Sequence, residues 1–170
     1  MTLKYVNETL NFDNIDIQQL GQTIQTPYYL YSENIITSNI DEYISELNNA
    51  DTLICYSVKA NSNLSILSLF AKKNLGFDIV SGGELQRVVR AGGDTSKVVF
   101  SGVGKTNEEI EFAIKSRINC FNVESQSELH RIDSIASSLN VQANISLRVN
   151  PEIDAKTHPY ITTGLSENKF

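Results

Sequence analysis

The stretch GFDIVSGGELQRVVRAGGDTSKVVFS, residues 76–101, contains a complete strand–helix–strand unit. GFDIV at its start and KVVFS at its end are short runs of β-branched and aromatic residues, so both are predicted to be strands. Between them, Leu85, Val88 and Val89 recur at helical spacing, and the pair Gly92–Gly93 predicts the end of the helix. A helix that joins two short strands in this way is typical of a parallel sheet with helical crossovers.

The same alternation extends in both directions from this unit. Further strands are predicted at residues 52–58, 120–123 and 143–149, and further helices at 62–74, 106–115 and 125–139. Three helices open with the capping-box pattern, a hydroxyl residue and a glutamate three positions apart: Ser81–Glu84, Thr106–Glu109 and Ser125–Glu128. Two α/β architectures fit, an open doubly wound sheet and an eight-stranded barrel. Because a closed barrel needs roughly 200 residues or more, we expect these residues to be the front part of a longer protein.

The composition is that of a soluble globular protein. The chain has 170 residues, a net charge of −6 and 20% charged residues, and an acidic balance disfavours nucleic acid as a partner. Cys55 and Cys120 each lie in an apolar run, as buried free thiols do in a reducing compartment. Residues 1–12, MTLKYVNETLNF, contain no apolar core of a signal peptide. We therefore expect a cytoplasmic protein that binds neither membrane nor nucleic acid.

Alternation along the predicted strands places polar residues on one face. In the first strand of the repeat, Cys55, Ser57 and Lys59 share a face, and the larger residues share the other. The same phasing gives one polar residue from each of the five strands on the face that would point into a barrel: Lys59, Asp78, Ser101, Asn122 and Arg148. Most lie near the C-terminal ends of their strands, where α/β barrels place their chemistry.

Lys59 has a special chemical use within this set. Interior lysines are uncommon, and a desolvated lysine or one set near another cation becomes a free amine that can condense with a carbonyl. The carbonyl would belong to an aldehyde cofactor such as pyridoxal phosphate, or to a ketone substrate as in an aldolase. The alternative is a structural cluster in which Lys59, Asp78 and Arg148 compensate one another's charges.

Two other motifs are weaker. GVGKT at residues 102–106 resembles the end of a nucleotide-binding P-loop, but that motif needs a glycine where Val99 stands. Zinc-site spacing is lacking among the cysteines and histidines, which are Cys55, Cys120, His130 and His158. We therefore predict no metal site and no P-loop.

Five strings then identify a family by resemblance. YSVKANSN, GFDIVSGGEL, FSGVGKT, FNVES and LRVNPEIDAKTHPYITTGLSENKF occur in this order from about Thr26 onward. Together they closely resemble the bacterial diaminopimelate decarboxylases, which are fold type III pyridoxal-phosphate enzymes. The resemblance implies the first part, about five strands, of an alanine racemase-like α/β barrel. It also implies removal of carbon dioxide from meso-diaminopimelate to give L-lysine, the last step of lysine biosynthesis.

The resemblance carries over to single residues. Lys59, in VKAN, resembles the lysine that holds pyridoxal phosphate as an imine and acts in catalysis. Asp78 resembles the acidic residue near that lysine, and Arg148 resembles a strand-end arginine that lines the cofactor pocket. Glu84 resembles a second nearby carboxylate, although its capping-box role is an equal alternative. His158 lies in a signature loop, for which ordering of the loop is the simplest role.

The resemblance also has implications for the rest of the protein. Residues 1–30 would pack with a second, β-rich domain, and residues 31–170 would be the N-terminal part of the barrel. The family forms homodimers, and its ring-stacking histidine, phosphate loop and cross-subunit cysteine come later in the chain, so we expect residues 1–170 alone to be inactive. A related decarboxylase of ornithine, arginine or carboxynorspermidine, or a non-catalytic pyridoxal-phosphate protein, would share the same motifs.

Overall fold

The structure is a computed structural model that describes residues 3–47, 51–153 and 156. It divides into two compact units, Met1–Thr52 and Leu53–Phe170. Within the described ranges, none of the helices combines the length and the apolar character that crossing a membrane requires.

The first unit is a small antiparallel sheet followed by two helices. Its elements are β1 (Leu3–Val6), β2 (Thr9–Phe12), β3 (Ile15–Asp16), α1 (Ile17–Thr23) and α2 (Glu33–Glu46), with sheet order β1-β2-β3. Both hairpins turn through two residues with positive φ, Asn7–Glu8 and Asp13–Asn14, the pattern of type I′ turns. Asp13 then accepts a hydrogen bond of 2.7 Å from Ser32, the N-cap of α2. One polar contact thus connects the second hairpin to the start of the helix.

The second unit is the predicted alternation of parallel strands and helices. Its elements are β4 (Cys55–Ser57), α3 (Leu64–Lys72), β5 (Gly76–Ile79), α4 (Gly82–Arg90), β6 (Val98–Phe100), α5 (Asn107–Lys115), β7 (Cys120–Val123), α6 (Gln126–Ser138) and β8 (Ile145–Leu147). The sheet order is β4-β5-β6-β7-β8, and every pair is parallel. Each strand pairs with the next one along the chain, without the reversal that defines a doubly wound sheet. This order is that of an α/β barrel.

The helix-facing side of the sheet forms the core of this unit. Phe77, Ile79, Val98 and Phe100 are all fully buried, whereas residues that alternate with them, such as Asp78, are only half-buried. Burying such side chains contributes about 1.5–3 kcal/mol each. The two faces predicted from the alternation are therefore confirmed.

The helix starts confirm the predicted hydroxyl caps in α4, α5 and α6. The hydroxyls accept from the backbone N–H three residues on: Ser81 from Glu84, Thr106 from Glu109 and Ser125 from Glu128. In α5 the glutamate completes the box by accepting from the N-cap N–H at 3.0 Å. In α4 and α6 the glutamate carboxylate accepts instead from the backbone N–H of the residue before the N-cap. That residue is Val80 in α4, at 2.7 Å, and Glu124 in α6, at 3.1 Å. The reason is the N-cap conformation, since φ is −157° and −155° in these two helices but −82° in α5.

Side chains of successive helices tie the loops at the C-terminal ends of the strands together. In α4, α5 and α6, one side chain forms a hydrogen bond with a backbone group at or just before the start of the preceding helix. Arg87 of α4 donates to Ser62 O at 3.2 Å, and Glu109 of α5 accepts from Gly82 N at 2.7 Å. Arg131 of α6 donates to Lys105 O at 2.7 Å. Groups placed on this end of the sheet are consequently held in a fixed mutual arrangement.

Candidate active site

Lys59 lies on a turn directly after β4. The strand ends at Ser57, two residues before this lysine, and a one-turn 3₁₀ helix, Val58–Ala60, carries Lys59 in an exposed position. Val58 is fully buried and anchors the turn, while the Tyr56 hydroxyl donates to Asn61 O at 3.2 Å and closes it. The strand predicted to run through Val58 is thus shorter than expected. The lysine follows the C-terminal end of its strand, as predicted, but it is exposed on the turn rather than on the interior face of the strand.

Asp78 lies on the neighbouring strand and is part of a hydrogen-bonded row. It pairs in register with Ser57 of β4. Its Oδ1 accepts a 2.6 Å hydrogen bond from Ser101 Oγ, and that hydroxyl oxygen accepts a 2.9 Å hydrogen bond from Asn122 Nδ2. The structure therefore brings three residues of the predicted polar face into direct contact across β5, β6 and β7.

Arg148 lies at the end of β8 beside a buried carboxylate. Its Nη1 is 3.9 Å from Glu124 Oε1, and the Glu124 side chain is only 2% exposed. The same Oε1 accepts a 2.9 Å hydrogen bond from Gly102 N. Gly102 has φ +101°, a conformation that favours glycine. Glu124, which the sequence did not single out, thus connects the ends of three neighbouring strands.

Of the two remaining residues that the sequence singled out, Glu84 is described by the structure and His158 is not. The Glu84 carboxylate accepts from Val80 N at 2.7 Å, and its own N–H donates to Ser81 Oγ. The structure therefore supports its role at the helix start. His158, with most of the final signature segment, lies outside the described residues.

Lys105 is the buried lysine of this end of the sheet. Its side chain is 0% exposed, and its Nζ donates to Gly102 O at 2.8 Å, Asn122 O at 3.0 Å and Glu128 Oε1 at 2.6 Å. The ammonium also lies 5.4 Å from the centre of the Phe100 ring. All three of its hydrogens have an acceptor, so the residue is structural. This role explains the GVGKT string without a nucleotide, and no signal in the sequence pointed to the partner 23 residues away.

Two half-buried thiols lie on the interior face of the sheet. Burial raises the pKa of the Cys55 thiol above its ordinary value of 9.0, and the nearby Asp78 carboxylate and Cys120 thiol raise it further. Burial also raises the pKa of Cys120. Both groups are therefore neutral thiols at physiological pH, consistent with the predicted free cysteines.

Alkylation of these thiols is expected to be slow. At pH 8, iodoacetamide should label Cys55 more slowly than it labels a cysteine in an unstructured peptide, because the thiolate is the reactive form. Above about pH 9 the unfolded chain loses the thiol protons before the folded one does, so stability falls as the pH rises. Peptide mass spectrometry follows the label, with Cys120→Ser isolating Cys55. Labelling of Cys55 at the rate of the free peptide would contradict its placement.

The residues at this end of the sheet fit the cofactor that the resemblance implies. Lys59 offers an accessible primary amine, Asp78 a carboxylate on the adjacent strand and Arg148 a guanidinium. Among the described residues, two buried polar atoms lack a hydrogen-bond partner, Ser57 Oγ and Glu124 Oε2, and both belong to this end. An amine that can condense with an aldehyde, surrounded by polar groups of both charges, is a suitable donor set for pyridoxal phosphate.

Curated relatives of this chain are named diaminopimelate decarboxylases. A diaminopimelate decarboxylase of Neisseria meningitidis serogroup A is 51% identical over 162 residues, which cover 95% of this chain and 40% of that protein. A diaminopimelate decarboxylase of Pseudomonas aeruginosa is 48% identical and covers 99% of this chain and 41% of its own length. The chain thus spans about 40% of the length of the curated relatives it matches.

A solved structure and a family model also match this chain. The crystal structure of diaminopimelate decarboxylase from Helicobacter pylori complexed with L-lysine superposes with a TM-score of 0.87 at 53% identity, covering 91% of this chain and 39% of that chain. This match confirms the predicted fold class for the part of the barrel present here. The model described as "Pyridoxal-dependent decarboxylase, pyridoxal binding domain" matches residues 34–170. The chain therefore belongs to the pyridoxal-dependent decarboxylase family and matches its pyridoxal binding domain.

Proposed function

We propose that this chain is the front part of a diaminopimelate decarboxylase, a carboxy-lyase that converts meso-diaminopimelate to L-lysine and carbon dioxide. The observation that carries the proposal is identity of about half of all residues, over nearly the whole chain, to relatives that bear this name. The L-lysine bound in the Helicobacter pylori structure is the expected product.

The chain's own residues supply an amine, a carboxylate and a guanidinium at one end of the sheet. When bound, pyridoxal phosphate supplies an aldehyde that condenses with amines and a conjugated ring that takes up the electron pair left on the substrate carbon when carbon dioxide departs. Lys59 Nζ is the amine that would hold the cofactor, and it would be displaced by the substrate amine and would return when the product leaves. Asp78 provides negative charge one strand away from Lys59, and Arg148 provides a cation that lines the pocket.

The remainder of the protein completes the proposal. Residues 1–30 pack with a second, β-rich domain, and two copies form a homodimer in the cytoplasm. Ring stacking, phosphate binding and the cross-subunit contribution come from outside residues 1–170.

A product assay on the full-length protein tests the substrate. Carbon dioxide release and L-lysine formation are expected with meso-diaminopimelate, at a kcat/KM about 10³-fold or more above that for ornithine, arginine or carboxynorspermidine, because a site built around polar substrate groups rejects analogues that lack them. A higher kcat/KM for one of the other amino acids would show that the protein is instead a decarboxylase of that amino acid. Bound cofactor without carbon dioxide release from any of them would instead favour a non-catalytic pyridoxal-phosphate protein.

A further inference from the structure

The hydrogen bonds that join Asn122, Ser101 and Asp78 all run in one direction from donor to acceptor. Asn122 Nδ2 donates to Ser101 Oγ at 2.9 Å, and Ser101 Oγ lies 2.6 Å from Asp78 Oδ1. A hydroxyl has a single hydrogen. Since the amide of Asn122 occupies an acceptor position on the Ser101 oxygen, the hydroxyl hydrogen is directed at the Asp78 carboxylate. The row therefore runs from amide to hydroxyl to carboxylate.

The row also holds the carboxylate toward the end of the strand. Asp78 pairs in register with Val99 on β6 and with Ser57 on β4. Ser101 lies two residues beyond Val99 along the chain, so its hydrogen bond to Asp78 runs diagonally toward the C-terminal end of the sheet. Lys59 lies two residues beyond Ser57, on the opposite side of Asp78 and at the same end. The diagonal bond consequently holds the Asp78 carboxylate at the C-terminal end of the sheet, the end at which Lys59 follows β4.

We propose that Ser101 and Asn122 are positioning residues that fix the Asp78 carboxylate at the end of the sheet where Lys59 would hold the cofactor. This inference rests on the proposed function, because it gives Asp78 a role beside the cofactor-holding lysine. Neither residue needs to touch the cofactor, since each acts through Asp78. A charge-assisted hydrogen bond of 2.6 Å between half-buried groups is strong enough to fix a carboxylate that otherwise rotates about its side-chain torsions.

The test measures the dissociation constant of pyridoxal 5′-phosphate from the full-length protein, after removal of cofactor and titration. Ser101→Ala is expected to raise this constant about 10-fold to 150-fold, as the loss of one hydrogen bond to a charged group predicts. Ser101→Thr keeps the hydroxyl and should restore most of the affinity. Ser137→Ala is the matched control, because Ser137 is exposed on helix α6, away from the strand face that carries Asp78.

A double-mutant cycle separates positioning from a structural role. If Ser101 acts through Asp78, Ser101→Ala should change the constant little in an Asp78→Asn background. A purely structural defect would weaken binding by the same factor in both backgrounds, and that result would overturn the inference. Equal affinity of Ser101→Ala and the unchanged protein would overturn it as well.

Asn122→Asp provides a second variant in case Ser101→Ala does not fold. It keeps the size of the side chain but replaces the amide donor with a carboxylate that competes for the Ser101 hydrogen, so weaker cofactor binding is again expected. Unchanged binding would count against the inference. A full-length protein that binds no pyridoxal phosphate at Lys59 would instead refute the proposed function, so the two failures are distinguishable.

Discussion

Lys59→Ala in the full-length protein is expected to lose covalent attachment of pyridoxal phosphate and to lower the rate of carbon dioxide release. The loss should be at least about 10²–10⁴-fold, the range for removal of a positioned proton-transfer group alone. The physical reason is that Lys59, an exposed amine on the turn after β4, is the group that we propose condenses with the cofactor aldehyde. Borohydride reduction followed by peptide mass spectrometry should find the pyridoxyl group on Lys59 in the unchanged protein and nowhere in the variant.

Two controls make this result specific. Lys72→Ala removes an exposed lysine at the end of α3 and should leave both labelling and rate unchanged. Lys59→Arg keeps a positive charge but cannot take part in the condensation, so it should behave like the alanine variant. A pyridoxyl group on another lysine of the unchanged protein would refute the assignment of Lys59.

Lys105→Met is expected to cost about 3–5 kcal/mol of local stability, the range for breaking a buried ion pair. The lysine and its partner Glu128 are 0% and 2% exposed, and their charged atoms are 2.6 Å apart. Without the ammonium, the Glu128 carboxylate stays buried and keeps a hydrogen bond from the backbone N–H of Glu124. Hydrogen exchange of the β7 and α6 amides should therefore accelerate by about two to three orders of magnitude.

Two comparisons test this explanation. Lys105→Met combined with Glu128→Gln should recover part of the lost protection, because no buried charge is then left unpaired. Lys115→Ala breaks an exposed pair with Glu111 on α5 and should cost no more than about 0.5 kcal/mol. Equal effects of Lys105→Met and Lys115→Ala on exchange would show that the buried pair contributes nothing beyond a surface contact.

The polar face of the sheet shows which features of the site can be predicted from sequence. Alternation of side chains is a property of each strand by itself, so the inward position of Asp78, Ser101 and Asn122 followed from local patterns. Their contacts depend instead on register, which pairs Asp78 with Val99 and leaves Ser101 diagonal to it. The predicted polar face is thus confirmed for these residues, while the direction of their hydrogen bonds came from the structure.

The sites that the sequence missed have a common cause. In the sequence, Glu124 resembles an ordinary residue at the end of a strand, and Lys105 resembles part of a nucleotide-binding motif. In the structure, each forms a hydrogen bond with a residue more than 15 positions away along the chain. The cofactor roles of Lys59, Asp78 and Arg148 stay predictions. The position of Lys59 on a turn, rather than on the strand, results from the burial of Val58 and from the hydrogen bond between Tyr56 and Asn61.

Local sequence determined the repeated strand–helix units, their faces and the hydroxyl caps, because periodicity and capping act within a few residues along the chain. Only the tertiary structure decided the sequential order of five parallel strands, the Lys105–Glu128 pair and the row from Asn122 to Asp78. These features join residues about 20 positions apart, and such neighbours are fixed by the packing of whole units rather than by the character of any one of them.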